Sequence, residues 1–313
     1  MKIIRGIHNI KEIISHSVVT IGNFDGIHLG HQKLFSCAHQ ISKKYNIPTI
    51  VILFEPQPLE FLRYNDAPMR ITTFREKIKH ISLYNIDKIL CIKFNRSFQS
   101  LSPEDFIINI LINKLHMKFI VIGDDFKFGV KRSGDINLLE KLRNQYQFQI
   151  VKIKALYKNN IKISSTNIRI ALSKNNIKLA SLLLGRLLSI SGRVVHGYAR
   201  GRTLGYPTAN ISLKKKSLFT HGVYAVKVHY FSNKICLGIC NIGIKPSFMD
   251  CEKNRVLEVY LFDKNIDLYG KHIEVILYKK IRDEKIFTSK ELLKNQIFQD
   301  ILIVKNYFKI YKH

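Results

Sequence analysis

The feature that most constrains the fold of this chain is a change of hydrophobic period near residue 186. Before that point, over residues 17–155, continuous apolar runs alternate with segments of helical spacing. Such runs are typical of parallel strands buried on both faces, and crossover helices between them predict a doubly wound, Rossmann-like parallel sheet. The predicted strands cover residues 17–24, 49–55, 88–94, 118–126 and 148–156.

Local signals mark where the helices between these strands begin and end. The helical spacing that follows the first strand stops at the sequence Asn-Ile-Pro, residues 46–48. Ser102 and Pro103 are typical of the cap and first position of another helix, and Asp105 stands where a capping-box partner would.

After residue 186 the period falls to two, and short alternating segments follow one another with glycine turns between them. The segment HGVYAVKVHY at 221–230 is typical, and no helical pattern follows it until 290–308. This half of the chain predicts an antiparallel β-barrel, or a sandwich, with a C-terminal helix. We therefore expect a mixed α/β protein with two domains, residues 1–183 and residues 184–313.

Composition limits the class of protein. The 313 residues, 46% hydrophobic and 24% charged, are typical of a globular chain with room for two cores. No apolar run reaches the roughly 20 residues of a membrane span, and charges interrupt the first residues too often for a secretory signal. Five cysteines without a CxxC pair favour a reduced, cytoplasmic protein that lacks structural zinc.

The net charge of +28 would suit an anionic partner, either a nucleic acid or a phosphate-rich substrate. The lysines are scattered, however, and the longest basic run is KKK at 214–216. Abundant Lys, Ile and Asn and the absence of Trp are also typical of an A/T-rich coding bias. We therefore expect no stable nucleic-acid partner, and the charge alone identifies no function.

The stretch GNFDGIHLGH, residues 22–31, lies where an open parallel sheet binds its ligands, between a strand and the next helix. Its glycines let the backbone approach an anion, and the helix start offers unpaired N–H groups. His28 and His31 can donate hydrogen bonds to phosphate oxygens. A zinc site has less support because no nearby Cys or Glu completes a ligand set, and two merely solvated histidines are the third interpretation.

A second stretch of this type is KISSTNIR, residues 162–169. Ser164, Ser165 and Thr166 bring hydroxyl groups to a predicted helix start, and Arg169 follows within one turn. Such a start suits the outer phosphates of a nucleotide, although an ordinary serine cap has the same pattern. Neither a GxxxxGK[ST] loop nor a GxGxxG motif occurs in the chain.

The most specific string is GRVVHGYARGRTLGYPTANI, residues 192–211. Thr208 and Asn210 place two oxygen-bearing side chains on one face of an extended segment, an arrangement suited to Mg²⁺ and phosphates. A glycine-rich hairpin beside an ordinary polar strand would give a similar pattern. Further on, Glu258 lies in an alternating segment, but periodicity alone does not single it out.

The first of these patterns, GxFDGxHxGH with SSTxIR, resembles the nucleotidyltransferase superfamily that carries the HxGH signature. FEPQP (54–58), ITTFREK (71–77) and GDDFKFGVKRSGD (123–135) are similar to the flavin adenylyltransferase module of the bacterial bifunctional riboflavin kinase/FAD synthetase family. The resemblance implies that two groups of residues bind ATP phosphates. They are Gly22, Asn23, Asp25, His28 and His31, with Ser164, Ser165, Thr166 and Arg169.

The same resemblance implies that Asp125, and less directly Asp124, contributes to the active cleft, and that His28 and His31 take part in catalysis. One departure concerns the segment FEPQP. Members of the family usually carry FxPHP, and Gln57 stands here in place of the histidine. Whether this substitution alters adenylylation is left open by the sequence.

The second half resembles the riboflavin kinase module of the same family, through GxVxxGxxxGRxLGxPTAN and three later motifs. These are NIGxxP (241–246), LEVxLxDxxxDLYG (257–270) and IRDEKxF (281–287). Tyr206 and Ser247 replace the usual Phe and Thr, which are mild departures.

The resemblance implies a role for particular residues of this half. Thr208 and Asn210 would bind the Mg–ATP phosphates, and Glu258 would be the base that deprotonates the 5′-hydroxyl of riboflavin. Arg282, with the last helix, would close the flavin side. The glycines implied at the ATP site are Gly192, Gly197 and Gly201.

The implied function is two-step flavin cofactor synthesis. Riboflavin is phosphorylated by ATP to FMN, and FMN is adenylylated by a second ATP to FAD with release of pyrophosphate. ATP and Mg²⁺ would be required, in a cytoplasmic monomer or weak homo-oligomer without a membrane partner. The alternatives are a kinase with an impaired adenylyltransferase domain, and a basic tRNA- or nucleic-acid-binding protein with a HIGH-type motif. The second has less support because the chain lacks KMSKS.

Overall fold

The computed structural model describes residues 1–11, 15–197, 200–213, 220–231, 234–245, 254–262 and 266–309. The chain divides into two compact units, Met1–Asn167 and Ile168–His313. Within the described residues, the helices are all too short or too polar to span a membrane.

The first unit is built on a parallel sheet. Its strands are β1 (Lys2–Arg5), β2 (Ser17–Ile21), β3 (Thr49–Phe54), β4 (Lys88–Ile92), β5 (Met117–Gly123) and β6 (Gln149–Ile153). They form a six-stranded sheet in the order β1-β4-β3-β2-β5-β6, with every neighbouring pair parallel. The predicted doubly wound sheet is therefore confirmed, and the edge strand β1 is an addition. A small antiparallel hairpin of β7 (Tyr157–Lys158) and β8 (Ile161–Lys162) follows the sheet.

Helices connect these strands. They are α1 (Leu29–Tyr45), α2 (Pro58–Leu62), α3 (Phe74–Ile81), α4 (Arg96–Gln99), α5 (Pro103–Asp105) and α6 (Ile136–Arg143). α7 (Ser165–Ser173) follows the hairpin, and its residues from Ile168 onward group with the second unit. Single turns of 3₁₀-helix cover Ile7–Asn9, Ser82–Tyr84 and Val130–Arg132, and α5 continues as a π-helix over Phe106–Ile112. α1 ends at Asn46, whose φ of 51° is left-handed. Ser102 caps α5 by accepting the Asp105 N–H at 3.0 Å, so both helix signals are confirmed.

The core of the first unit lies on both faces of the sheet. Ile50 and Ile52 of β3 pack on one face, and Val51 and Leu53 pack on the other, all nearly inaccessible to solvent. Successive side chains of a strand point to opposite faces, so a strand buried on both must be apolar throughout. This is why the continuous apolar runs identified the strands.

The second unit is a β-barrel. Its strands are β9 (Ser189–Val195), β10 (Thr208–Ser212), β11 (Gly222–Tyr230), β12 (Lys234–Lys245), β13 (Asn254–Leu261) and β14 (His272–Arg282), and its helices are α8 (Ile177–Leu184), α9 (Arg200–Thr203) and α10 (Lys290–Tyr307). The strands close in the order β10-β13-β12-β11-β14-β9. All pairs are antiparallel, including β9 with β10. The barrel is confirmed over the sandwich, and the single turn α9 is an element that the sequence pattern did not predict.

The terminal helix α10 packs on the outside of the barrel. Ile301 and Val304 of α10 form one cluster with Val223 and Ala225 of β11 and with Ile239 of β12. The helix begins at Ser289, whose side chain accepts the Leu292 N–H at 3.2 Å. One part of the outer barrel surface is thus apolar and covered.

Candidate active sites

The first candidate site lies where the strand order of the parallel sheet reverses. From β2, the strands β3 and β4 follow on one side and β5 and β6 follow on the other, while β1 forms the edge beyond β4. Ligands of such sheets bind beyond the carboxyl ends of the strands at this reversal. GNFDGIHLGH follows β2, and GDDFKFG follows β5. Two of the stretches singled out in the sequence are therefore at the position where the fold favours a ligand.

The loop between β2 and α1 has an unusual backbone. Phe24 and Ile27 both have φ of 44°, and Gly26 has φ of 85°. Left-handed backbone is strained for a β-branched residue such as Ile27, and it persists only where the surroundings hold it. Phe24 and Ile27 are each 1% exposed and pack in the core beneath the loop. Their burial therefore holds the loop in this shape.

Asp25 fastens the same loop to the segment that precedes α3. Its carboxylate oxygens accept the backbone N–H groups of Ile71, at 3.0 and 3.1 Å, and of Thr72, at 3.1 Å. Thr72 reciprocates through its Oγ1, which accepts the Gly26 N–H at 3.0 Å. The Asp25 side chain is 2% exposed. Asp25, which the sequence predicted to bind phosphate, therefore anchors the loop to the segment before α3.

A buried lysine supports the loop from below. Lys77 of α3 is 1% exposed, and its Nζ donates to the backbone carbonyl of Asn23 at 2.5 Å. Burial lowers the pKa of Lys77, while the negative charge of Asp25 opposes this effect. Lysines usually lie on solvated helix faces. Because Lys77 is instead buried with this carbonyl as its partner, it positions the loop.

Beside Lys77 lies an ion-pair network made by Glu55 of FEPQP, Glu60 of α2 and Arg70, the residue before ITTFREK. Arg70 pairs with Glu60 at 2.5 Å and with Glu55 at 2.7 Å. The hydrogen bond to Glu60, assisted by Glu55, raises the pKa of the Arg70 guanidinium above its usual value. Glu60 also accepts the backbone N–H of Gln57 at 3.0 Å. The segment around Gln57 is therefore fixed in place.

Gln57 itself is 7% exposed, and its Nε2 has no hydrogen-bond partner among the described residues. A buried amide donor without an acceptor costs free energy, and such groups in native structures call for an explanation. An acceptor on a bound ligand would satisfy it. This is the position at which the sequence departs from the FxPHP pattern.

The two histidines lie together at the start of α1. His28 is the N-cap, and its Nδ1 accepts the backbone N–H of His31 at 3.3 Å, so a neutral His28 carries its proton on Nε2. The rings stack with centroids 3.5 Å apart. A Cβ on Gly30 would come within 3.1 Å of the His28 ring, so the glycine of HLGH leaves room for this ring.

The start of α7 meets the start of α1. Ser165 Oγ donates to the backbone carbonyl of Asp25 at 2.8 Å, and Ile163 O lies 3.9 Å from where a Cβ of Gly30 would be. Ser164 Oγ accepts the Asn167 N–H at 3.2 Å and begins the helix, while Thr166 is exposed. Two helix starts with their N–H groups therefore share one region, which favours an anion.

Arg169 and the acidic residues after β5 complete the predicted set. Arg169 lies one turn along α7 and groups with the second unit. Asp125 pairs with Lys162, just before the start of α7, at 3.0 Å and raises the pKa of that lysine. Asp124 accepts the backbone N–H of Ala155 at 3.1 Å. The structure thus links the end of β5 to the hairpin that leads into α7.

The second candidate site is a row of polar side chains on the outer face of the barrel. Strand register places Asn210 of β10 opposite Glu258 of β13, and Thr208 opposite Tyr260. Directly opposed residues of antiparallel strands lie on the same face of the sheet. Thr208, Asn210 and Glu258 are therefore on one face, although Glu258 is 48 positions further along the chain than Asn210.

Asn210 is the most informative member of this row. It is 7% exposed, and its Oδ1 has no hydrogen-bond partner among the residues that the structure describes. A Cβ on Gly197 would overlap the Asn210 amide, and a Cβ on Gly201 would lie 3.2 Å from Thr208 Oγ1. These two glycines therefore let the backbone lie close against the polar pair, whereas Gly192 lies in the β9–β14 ladder.

A pocket of about 320 Å³ opens at the Thr208 end of β10. Its wall is formed partly by apolar strand residues and partly by Leu268 and Tyr269 of the LEVxLxDxxxDLYG motif. Tyr269 stacks on His196, with ring centroids 4.1 Å apart. The pocket is of the size of small-ligand sites, and two of the motifs singled out in the sequence, residues 192–211 and 257–270, meet around it.

Arg282 has a structural partner on the terminal helix. Its Nη2 pairs with Asp300 at 2.8 Å, and Asp300 is 2% exposed. Register places Arg282 on the same row as Glu258, with Asn241 and Val223 between them. Three strand spacings separate the two, or about 14 Å. The guanidinium therefore fastens α10 to β14, and its predicted contribution to the flavin side remains a prediction.

Comparisons with known proteins agree on both halves of the chain. A family described as FAD synthetase matches residues 10–167, and one described as Riboflavin kinase matches residues 184–308. A bifunctional riboflavin kinase/FMN adenylyltransferase from Buchnera aphidicola subsp. Acyrthosiphon pisum is 72% identical over 313 residues, all of both chains. The protein of that name from Escherichia coli K12 is 44% identical, covering 100% of this chain and 99% of its own.

A solved structure supports the fold. It is described as a macrolide-efflux protein from Streptococcus pneumoniae, is 32% identical and has a TM-score of 0.85. The similarity covers 98% of this chain and 99% of that one. Its description differs from the names of the two relatives, and the agreement concerns the course of the chain.

Proposed function

The chain belongs to the family of bifunctional riboflavin kinase/FMN adenylyltransferases, and we propose that each of its two units carries one of the two activities. The enzyme phosphorylates riboflavin with ATP to give FMN and then adenylylates FMN with a second ATP to give FAD. The observation that carries the division is that the two family matches fall on different units. Each unit also has its own set of residues suited to phosphates.

We propose residues 1–183 as the adenylyltransferase domain and residues 184–313 as the kinase domain. The family matches leave residues 168–183 between them, and in the structure these residues group with the second unit. They contain α8 and the end of α7. A truncation series with fragments that begin at residues 168 and 184 tests this boundary.

In the first unit, the FMN phosphate would attack the α-phosphorus of ATP. The bond from that phosphorus to the bridging oxygen breaks, and pyrophosphate leaves with the electron pair. No side-chain nucleophile is required because FMN supplies the attacking oxygen. The protein contributes the two helix starts and the Nε2–H of His28, all of which can donate to phosphate oxygens as negative charge develops.

In the second unit, Glu258 would accept the proton of the riboflavin 5′-hydroxyl as that oxygen attacks the γ-phosphorus of ATP. ADP leaves, and FMN is the product. The buried Oδ1 of Asn210, without a described partner, and the hydroxyl of Thr208 are oxygen donors of the kind that Mg²⁺ prefers. Thr208 and Asn210 would therefore hold the ion, which when bound neutralises charge on the ATP phosphates.

The direct test is incubation with riboflavin and Mg–ATP, followed by chromatography of the flavins. We expect FMN to form first and FAD to accumulate from it. FMN without FAD would favour the alternative, a kinase with an impaired adenylyltransferase domain. Absence of both products, together with a salt-sensitive shift of RNA on a gel, would favour a basic nucleic-acid-binding protein.

Whether Gln57 can take the place of the usual histidine decides between a bifunctional enzyme and a kinase with an impaired adenylyltransferase domain. We expect adenylyl transfer to survive, because a carboxamide N–H can donate to a ligand acceptor as a neutral imidazole can. Gln57→Leu is then expected to lower FMN-to-FAD conversion about 10-fold, the loss of one hydrogen bond to a charged group. Gln57→His should keep most of the activity. Equal conversion by wild type, Gln57→Leu and Gln57→His would show that the side chain has no ligand contact.

Lys77 provides a test of the loop that carries the histidines. Lys77→Met keeps the length of the side chain but leaves the Asn23 carbonyl without its donor. We expect FMN-to-FAD conversion to fall about 10-fold or more, since small displacements of positioning groups are costly. FMN formation should be unchanged. The matched control is Lys79→Met, an exposed lysine on the same helix; if both variants lost the same activity, the loop anchor would not be the cause.

We further propose that the enzyme works in the cytoplasm. The described cysteines Cys37, Cys91, Cys236 and Cys240 are free thiols, which is the usual state in a reducing compartment. Its small-molecule partners are riboflavin, FMN and ATP, and we expect a monomer or a weak homo-oligomer.

A further inference from the structure

The polar row of the barrel extends beyond Glu258 to a third strand. Register places Asn241 of β12 directly opposite Glu258, on the side away from Asn210. Opposed residues of antiparallel strands have Cβ atoms about 4.5–5.5 Å apart and share a face. The Glu258 side chain is thus flanked by an asparagine on each neighbouring strand.

The orientation of the Asn241 amide is determined by a second carboxylate. Asn241 Nδ2 donates to Glu284 Oε1 at 3.3 Å. Because an ionised carboxylate only accepts hydrogen bonds, the amide must turn its NH₂ end toward Glu284. The amide retains a second N–H, which can donate to a carboxylate on the adjacent strand.

The backbone of β12 is shaped to admit Glu284. Gly243 follows Asn241 by two residues and therefore lies on the same face. A Cβ on Gly243 would overlap the Glu284 carboxylate. Any other residue at position 243 would displace Glu284 from its contact with Asn241.

The segment that carries Glu284 is itself fastened at its start. Arg282 binds the buried Asp300 of α10, and its Nη1 donates to the backbone carbonyl of Asp283 at 2.9 Å. The Asp283 carboxylate pairs with Lys280 at 2.5 Å. The two residues before Glu284 thus have fixed partners, and Glu284 reaches Asn241 from a held backbone.

We propose that Asn241 is a positioning residue for Glu258 in the phosphorylation of riboflavin, and that Glu284 acts through Asn241. One amide N–H on Glu284 fixes the orientation of the group, and the other holds the Glu258 carboxylate in the rotamer that faces the substrate hydroxyl. The inference rests on the proposed role of Glu258 as the base. It predicts an effect on turnover and little effect on riboflavin binding, because neither residue is assigned a contact with riboflavin.

The test is steady-state kinetics of FMN formation by the full chain. Asn241→Leu is expected to lower kcat about 10-fold with KM for riboflavin changed by less than about 2-fold. Glu284→Gln, which keeps the shape but weakens the acceptor, should lower kcat about 3-fold. Asn241→Gln retains the donor and should recover part of the lost kcat. The thermal stability of the same variants, compared with that of the wild type, reports whether the kinase unit is folded, and FMN-to-FAD conversion should be unchanged.

A double-mutant cycle distinguishes positioning from a merely structural role. If Glu284 acts through Asn241, Glu284→Gln has no further effect in the Asn241→Leu background. Additive effects, an unchanged kcat in Asn241→Leu, or a rise in KM alone would overturn the proposal. Glu258→Gln measured in parallel separates the two levels: full FMN formation by that variant would instead refute the assignment of the base.

Discussion

Glu258→Gln is expected to reduce FMN formation by about 10²- to 10⁴-fold, the range that a general base contributes. Glutamine has the shape of glutamate but cannot take up the proton of the 5′-hydroxyl. KM for riboflavin should change little, because the substitution removes an interaction that matters in the transition state. The measurement is initial rate of FMN formation from riboflavin and Mg–ATP.

The bifunctional chain contains its own control for this experiment. When FMN is supplied directly, Glu258→Gln should convert it to FAD at the wild-type rate, since the proposed adenylyl-transfer site lies in the other unit. Glu291→Gln, at the exposed start of α10, is the matched neutral substitution in the kinase unit. Loss of both reactions from Glu258→Gln in a folded protein would mean that the two sites are not separate.

The fold was predictable because its strands carry unmistakable patterns. β3 is buried along nearly its whole length, and only a continuous apolar run can satisfy both faces of a covered sheet. β1 was not predicted because it is an edge strand of four residues, of which only Ile4 is buried, so it has no continuous apolar run. α9 was not predicted because a single turn in a glycine-rich segment has no helical periodicity to detect.

The sites were predictable only in part, since contacts across the sheet leave no local pattern. His28 and Ser165 could be placed in one region because both precede helices at the carboxyl edge of a parallel sheet. The use of Asp25 as an anchor for Ile71 and Thr72 could not be foreseen, because these residues are 46 and 47 positions away.

The roles of Lys77 and Asn241 also depend on tertiary contacts that the sequence pattern does not show. A lysine in a helix is normally read as solvated, and only tertiary packing shows that Lys77 is buried under the loop. The place of Asn241 beside Glu258 follows from strand register, which one sequence does not specify. The sequence did mark the segments that contain these two residues, because ITTFREK and NIGxxP were among the motifs that carried the resemblance.

Replacing His28 and His31 together by alanine is expected to abolish measurable FMN-to-FAD conversion while FMN formation continues. Each lost donor to a developing negative charge costs about 10²- to 10³-fold in rate. The change also removes the stacked ring pair and the cap of α1. The measurement is FAD formation from FMN and Mg–ATP, with unchanged riboflavin phosphorylation as the activity control and thermal stability as the control for folding of the first unit.

The single variant His28→Asn separates the two roles of that histidine. Asparagine is a good N-cap residue and can accept the His31 N–H in place of Nδ1, so the start of α1 is preserved. It lacks a donor at the position of Nε2. If His28 acts on phosphate, His28→Asn should be nearly as slow in FAD formation as His28→Ala, and its thermal stability should match the wild type. If His28→Asn restored FAD formation, capping would be the function of His28; the exposed His16→Ala should leave both reactions unchanged.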